Sequence, residues 1–251
     1  MIVIGFTGPI GHGKSTFSAA LHKLEPSNVH IESSMIIAEI ADTMHANLEK
    51  VPERDDIESI NNWLKMLPVT LLQQLGVKVT FEQIKLDPDR VVRHPVEYEK
   101  LFLHIDNLAH NPQLLHQKIS LENKEAYRPF LQWLGGYLVR SLGPGIWYNE
   151  IVKRVKQAAQ SGVKLCTVGG LRFPNDANIL KQVDALVVKV YRPGHLQYDA
   201  LDPTERERDN IPVDVTVVSD AGIEEVTMCA KCFMDDLKNG ELKKTYYTSH
   251  C

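Results

Sequence analysis

Eight residues near the start of the sequence carry its clearest chemical signal: Gly8-Pro9-Ile10-Gly11-His12-Gly13-Lys14-Ser15. They satisfy every fixed position of the pattern G-x-x-x-x-G-K-[ST], with a strand-like run before them and a helix-like run after. The chemistry such a run serves is phosphate binding. Glycines let the backbone curl until several N–H groups point at one anion, and a helix starting near Ser15 adds its positive end. Lys14 supplies a mobile cation for the β- and γ-phosphates of ATP, Ser15 offers a hydroxyl to Mg2+, and Thr16 is a further polar neighbour. Gly8, Gly11, His12, Gly13, Lys14, Ser15 and Thr16 are therefore the expected donor-nucleotide residues, with His12 expected to face solvent or cap the nucleotide. The chain has no Asn/Thr-Lys-x-Asp motif for guanine recognition.

Arg128, Gln132 and Gly135 are spaced i, i+4, i+7, so a helix puts them on one face. An arginine fork can grip a phosphate and a carboxamide can read a base edge, while glycine lets a ligand approach. A surface arginine beside a helix-packing glycine fits the same spacing. Gly169-Gly170-Leu171-Arg172-Phe173-Pro174-Asn175-Asp176 links a strand to a helix, which sets Arg172 near the phosphates with Asp176 placed to hold it. Arg192 ends the next strand and projects toward the same crevice. Phosphoryl transfer needs such cations to offset charge on the equatorial oxygens.

The elements that must position these residues follow from periodicity. Residues 2–6, 28–32, 164–168, 185–191 and 214–218 read as strands, the fourth an unbroken β-branched run suited to burial on both faces. Helices are expected over 15–24, 35–48, 131–142, 147–158, 175–182 and 222–237. Alternating strands and helices imply an α/β fold with a parallel sheet of about five strands. Ligands in such sheets bind at the carboxyl ends of the strands. Residues 50–123 differ, with Pro52, Pro68, Pro88, Pro95 and Pro112, short helical patterns such as Ile60 to Leu67, and no long strand. The expected organisation is a discontinuous core of residues 1–49 and 124–238, a mostly helical insert over 50–123, and a frayed polar tail over 239–251.

The 251 residues are 43% hydrophobic and 24% charged, enough to bury a core without disulfides. A net charge of −4 argues against strong nonspecific attraction to nucleic acid, although Arg90, Arg93 and His94 are candidates for a local anion patch. Apolar runs fall short of the ~20 residues a membrane helix needs. Four cysteines do not make a disulfide framework, and Cys229-Ala-Lys-Cys232 reads as helix thiols rather than half a zinc site. The expected compartment is the cytoplasm, and a homodimer is compatible with the sequence.

Taken together, these segments resemble the deoxynucleoside monophosphate kinases of tailed bacteriophages, within the adenylate-kinase-like P-loop kinases. The resemblance rests on the glycine loop, Arg128-x-x-x-Gln132-x-x-Gly135, Trp147, Leu171-Arg172-Phe173-Pro174-Asn175-Asp176, Val190-Tyr191-Arg192-Pro193-Gly194 and the segment Val215 to Glu225. It covers both ends of the chain and fades over about 50–123, where that family places its variable acceptor-binding helices, so the resemblance implies an acceptor-binding insert there. It implies a three-layer P-loop kinase fold, host cytoplasm as the setting, and ATP and Mg2+ as cofactors. It also implies that Arg128, Gln132, Trp147, Arg172 and Asp176 bind the acceptor or the transferring phosphate, and that Arg192 packs near the ATP base. One position departs from the family. An Asp usually stands two residues before the Arg of the Leu-Arg-Phe-Pro segment, and here that position is Gly170.

The expected activity is transfer from ATP to a (deoxy)nucleoside monophosphate, with Lys14, Arg172, Arg128 and Glu32 as catalytic candidates. Closure of the 195–210 loop, which carries Glu205, Arg206, Glu207 and Arg208, would exclude water. An alternative acceptor is the hydroxymethyl group of a modified pyrimidine (5-hydroxymethyluracil) in DNA. That acceptor needs a base, for which Glu32 at the end of the second strand is the candidate. A nonenzymatic ATP-binding module is the third reading.

Overall fold

Ile2-Val3-Ile4-Gly5-Phe6-Thr7 is a run with almost no polar group to place, and it forms the central strand β1 (Ile2–Thr7). The computed structural model describes residues 1–46, 53, 56–60, 95–120, 122–195 and 207–250. Arg90, Arg93, His94, Glu205 and Arg206, and the 61–67 part of the expected Ile60 to Leu67 helix, lie outside the described residues. The chain divides into two compact units, residues 1–33 with 148–251 and residues 34–147. The divisions fall at 33/34 and 147/148, inside or beside helices, rather than at the expected 49/50 and 123/124.

In the sheet unit, α1 (Lys14–Leu24) follows β1, then β2 (Asn28–Glu32). After α2 (Ser33–Ala46), α3 (Glu99–His110), α4 (Arg128–Leu142) and α5 (Ile146–Gln160), the chain returns with β3 (Leu165–Gly169), α6 (Pro174–Leu180), β4 (Leu186–Tyr191) and β5 (Val215–Val218). It ends with α7 (Ile223–Asn239) and β6 (Thr245–Tyr247). The six strands form one all-parallel sheet in the order β2-β3-β1-β4-β5-β6. β1 thus lies between β3 and β4, pairing Ile4 with Thr167 on one side and Leu186 on the other. The loops leaving these three strands are neighbours at the carboxyl edge.

Alternation along β1 divides its side chains between the two faces. Ile4 and Phe6 join Phe17 and Leu21 of α1 and Val226, Ala230 and Phe233 of α7 in one buried cluster. Phe17 meets Phe6 and Phe233 edge-on, with ring centroids at 6.2 and 5.6 Å. Full burial of each such side chain is worth about 1.5–3 kcal/mol. On the other face, Gly5 has no room for a side chain. A Cβ there would stand 2.6 Å from Leu180 and 3.2 Å from Leu171, so the glycine admits α6 against the sheet. Cys229, the first cysteine of the Cys-Ala-Lys-Cys run, is buried in α7 within the core cluster.

The sixth strand corrects the expectation of a frayed tail. Thr245-Tyr246-Tyr247 is a short β-forming run inside polar surroundings, and it pairs with β5 from Thr216 to Val218. Tyr246 anchors it. Its ring packs on Phe233 at 5.4 Å, and its hydroxyl donates to Asp236 at 2.9 Å. Thr248 then accepts from the N–H groups of Asp220 and Ala221, each at 3.0 Å.

The helical unit is held by apolar faces of α2, α3 and α4, including Ile36, Met44, Leu101, Ile105, Phe130, Leu134 and Leu138. Two buried histidines lie among them. His45 of α2 and His104 of α3 share a hydrogen bond between their Nε2 atoms at 3.0 Å. Both rings stack on Phe130. Burial pushes the His45 pKa down to about 4 and, with the neighbouring His45, that of His104 down to about 3. No helix among the described residues is long and apolar enough to cross a membrane.

Candidate functional site

The glycine loop joins β1 to α1 at the middle of the sheet. Gly8, Gly11 and Gly13 all have positive φ, of 128°, 80° and 93°. At Gly8 the need for glycine is twofold, because a Cβ would also overlap the carbonyl oxygen of Val190 on β4. Gly13 caps α1 in the left-handed conformation and gives no side-chain hydrogen bond, and the first turn has no acidic residue. Phe17 N–H is the donor that reaches Gly13 O at 2.9 Å, so the N–H groups of Lys14, Ser15 and Thr16 in the first turn precede the helical hydrogen-bond ladder. Lys14 folds back over the loop, its Nζ donating to Gly8 O at 2.7 Å and Pro9 O at 2.6 Å. Orphan helix N–H groups, a curled glycine backbone and an ammonium on one short segment make up a phosphate-binding donor set. Ser15 is exposed on the same turn, with its hydroxyl available to a hard cation.

His12 does not face solvent as expected. It is fully buried, and its Nδ1 accepts the Arg192 backbone N–H at 2.9 Å. Its ring lies 5.5 Å from Tyr191 and 5.3 Å from His195. Burial, then the charges of His195, Lys14, Arg208 and Arg192, lowers its pKa. Arg192 itself is exposed at the end of β4.

On the other side of β1, the β3 end carries Gly170 and Arg172. Gly170 has a φ of 81°, and a Cβ there would stand 2.7 Å from the Ser33 hydroxyl. The backbone at Gly170, where the kinases that the motifs resemble carry an acid, is therefore one that only glycine accepts without strain. Asp176, nearly buried, accepts from the N–H groups of Arg172 at 3.1 Å and Phe173 at 3.0 Å, fixing the loop that presents the exposed Arg172. Burial raises the Asp176 pKa to about 6 against the opposing pull of those two N–H groups and the Arg172 charge. Glu32 ends β2 opposite Gly169, with its carboxylate 3.8 Å from His30 Nε2. Tyr148 is the residue that sequence reading missed. It is buried, and burial, then the charges of Asp176 and Glu32, raises its pKa, with Arg172 and Ser33 opposing. Its signal was present only as adjacency to Trp147, because one tyrosine in an amphipathic helix carries no pattern of its own.

In the helical unit, Arg128, Gln132 and Gly135 do share one face of α4, but each has a partner there. Arg128 makes two 2.6 Å hydrogen bonds to Glu125 with 54% of its side chain exposed, and Lys100 donates to Gln132 at 2.9 Å. Gly135 admits Ile37 of α2, whose Cδ1 would lie 3.1 Å from an added Cβ. Trp147 donates its indole N–H to Gly135 O at 3.1 Å. Gly135 thus packs α4 against α2, the helix-packing option that the spacing had left open, and the Trp147 indole hydrogen-bonds to the same residue.

No family model matches the sequence, and a search of curated proteins returns no match. The functional reading therefore rests on the residues and their geometry.

Proposed function

We propose that this chain is an ATP-dependent phosphotransferase acting on a (deoxy)nucleoside monophosphate, as the bacteriophage deoxynucleoside monophosphate kinases that its motifs resemble do. The observation that carries the reading is the segment Gly8 to Ser15: three left-handed glycines, an uncapped helix start and Lys14 folded over the same backbone. Gly8, Gly11 and Gly13 shape the cradle for the ATP phosphates, and Lys14 swings from the two carbonyls to the β- and γ-phosphates. Ser15 holds Mg2+, which when bound offsets phosphate charge. An oxygen of the acceptor phosphate attacks the γ-phosphorus, and the bond to the β,γ-bridging oxygen breaks to release ADP. Arg172 is presented by Asp176 to stabilise the transferring group. Such an acceptor is already ionised and needs no base.

A second reading, transfer to the hydroxymethyl group of a modified pyrimidine in DNA, is favoured by one pair of observations. Gly170 adopts a backbone that disfavours the family's acid, and the Glu32 carboxylate stands at the neighbouring strand end. A hydroxyl acceptor would give its proton to Glu32.

The test is incubation of γ-labelled ATP with each nucleoside monophosphate and, separately, with plain and 5-hydroxymethyluracil-containing DNA. Label in a nucleoside diphosphate is the expected result. Label only in DNA selects the second reading, and label in no acceptor reduces the protein to an ATP-binding module. Lys14→Ala is expected to lower transfer about 10²–10³-fold; an unchanged rate overturns the site.

A further inference from the structure

We propose that His12 is a positioning residue: its Nδ1 lone pair locks the glycine loop to the carboxyl end of β4. The hydrogen bond fixes the chemistry of the ring. Nδ1 accepts the Arg192 N–H at 2.9 Å, so it carries no proton, and the neutral imidazole bears its hydrogen on Nε2. That Nε2 is buried and meets no hydrogen-bond partner among the described residues, so Nδ1 is the atom that holds the loop. The loop packs closely there: Gly11 leaves room for His195, whose Nε2 would lie 2.8 Å from an added Cβ, and an added Cβ at Gly8 would overlap the Val190 carbonyl. Loop residues 8, 11 and 12 therefore all lie against residues 190–195, with the His12 hydrogen bond as the tie. A loop tied in this way is spared part of the ordering that anion binding otherwise costs. Burial first, and then electrostatic interaction with His195, Lys14, Arg208 and Arg192, disfavours protonation of the ring and so preserves the lone pair.

The consequence for nucleotide affinity rests on the phosphotransferase reading; the lock itself does not. His12→Asn places a carboxamide oxygen where Nδ1 sits and keeps an acceptor for Arg192. His12→Gln places its polar group farther out, near the Nε2 position, and removes that acceptor. Mg-ATP affinity is expected within about threefold of wild type for Asn and about tenfold weaker for Gln, the scale of one hydrogen bond. Equal behaviour of the two variants overturns the proposal. In the nucleotide-free wild-type protein, 15N chemical shifts of His12 at neutral pH should report the Nε2–H tautomer; an Nδ1–H tautomer overturns the lock. If wild type binds no ATP, the phosphotransferase reading fails, and the 15N result alone decides the role of His12.

Discussion

In the sheet unit, polar side chains at the carboxyl ends of the strands hold backbone; in the helical unit, polar side chains pair with other side chains. His12 takes the Arg192 N–H, Asp176 takes those of Arg172 and Phe173, and Lys14 rests on two carbonyls. Each of these contacts shapes a loop. Arg128 is matched by Glu125, Gln132 by Lys100, and His45 by His104. The difference teaches that a shared helix face is weaker evidence for a ligand seat than a loop whose backbone is fixed by buried polar groups. Burial favours the neutral form in both units: it lowers the pKa of His45 and His104 and raises that of Asp176.

Three experiments break or sharpen this comparison. Acid should give the largest effect. His45 and His104 have folded pKa values of about 4 and about 3, below the ordinary 6.5, so the unfolded chain binds more protons between those limits. Stability from the pair is complete above pH 6.5 and is lost as pH falls toward 4, by on the order of 3 kcal/mol per histidine. Denaturant titrations at pH 7 and pH 4.5, followed by the Trp133 fluorescence that reports on this stack, should show the loss, and a double variant His45→Leu with His104→Leu should flatten it. An unflattened profile would assign the acid sensitivity elsewhere. The Asp176 contribution runs the other way: its raised pKa means that stability falls as pH rises from about 4 to about 6.

Gly170→Asp comes next. An aspartate there forces a side chain into positive φ and against Ser33, with an expected cost of about 1–3 kcal/mol in unfolding free energy, read by denaturant titration. A gain in transfer without that loss would show that the loop accommodates the acid. Arg128→Ala should be smallest for stability, below about 1 kcal/mol, since its partner pair is exposed. The sharper readout is kinetic: a raised KM for the acceptor at unchanged stability would return Arg128 to the acceptor site, and an unchanged KM would leave it a surface ion pair.

Much of this was legible in the residues. The strand before Gly8, the helix after it and the β-branched run of β4 announce themselves by composition, and the carboxyl-end placement of Arg172 and Arg192 follows from the strand–helix order. The burial of His12 was not legible, because the variable positions of a glycine loop carry no periodicity that separates inside from outside. Nor was β6, where three β-forming residues among lysines and serines fall below the length at which alternation can be read. Gly170 was visible as a missing acid, but neither its positive φ nor the nearby Ser33 hydroxyl, from a distant part of the chain, leaves a signal in the neighbouring residues.

The central position of β1 has a consequence for how the protein is made. Ile4 of this strand pairs with Thr167 on one side and Leu186 on the other, each more than 160 residues downstream. At synthesis rates of ~5–20 residues per second, the strand that carries the glycine loop waits roughly ten to thirty seconds for either neighbour. Throughout that interval an apolar strand with two open edges must be shielded, so the nascent chain should depend on chaperone contact at the β1–α1 segment.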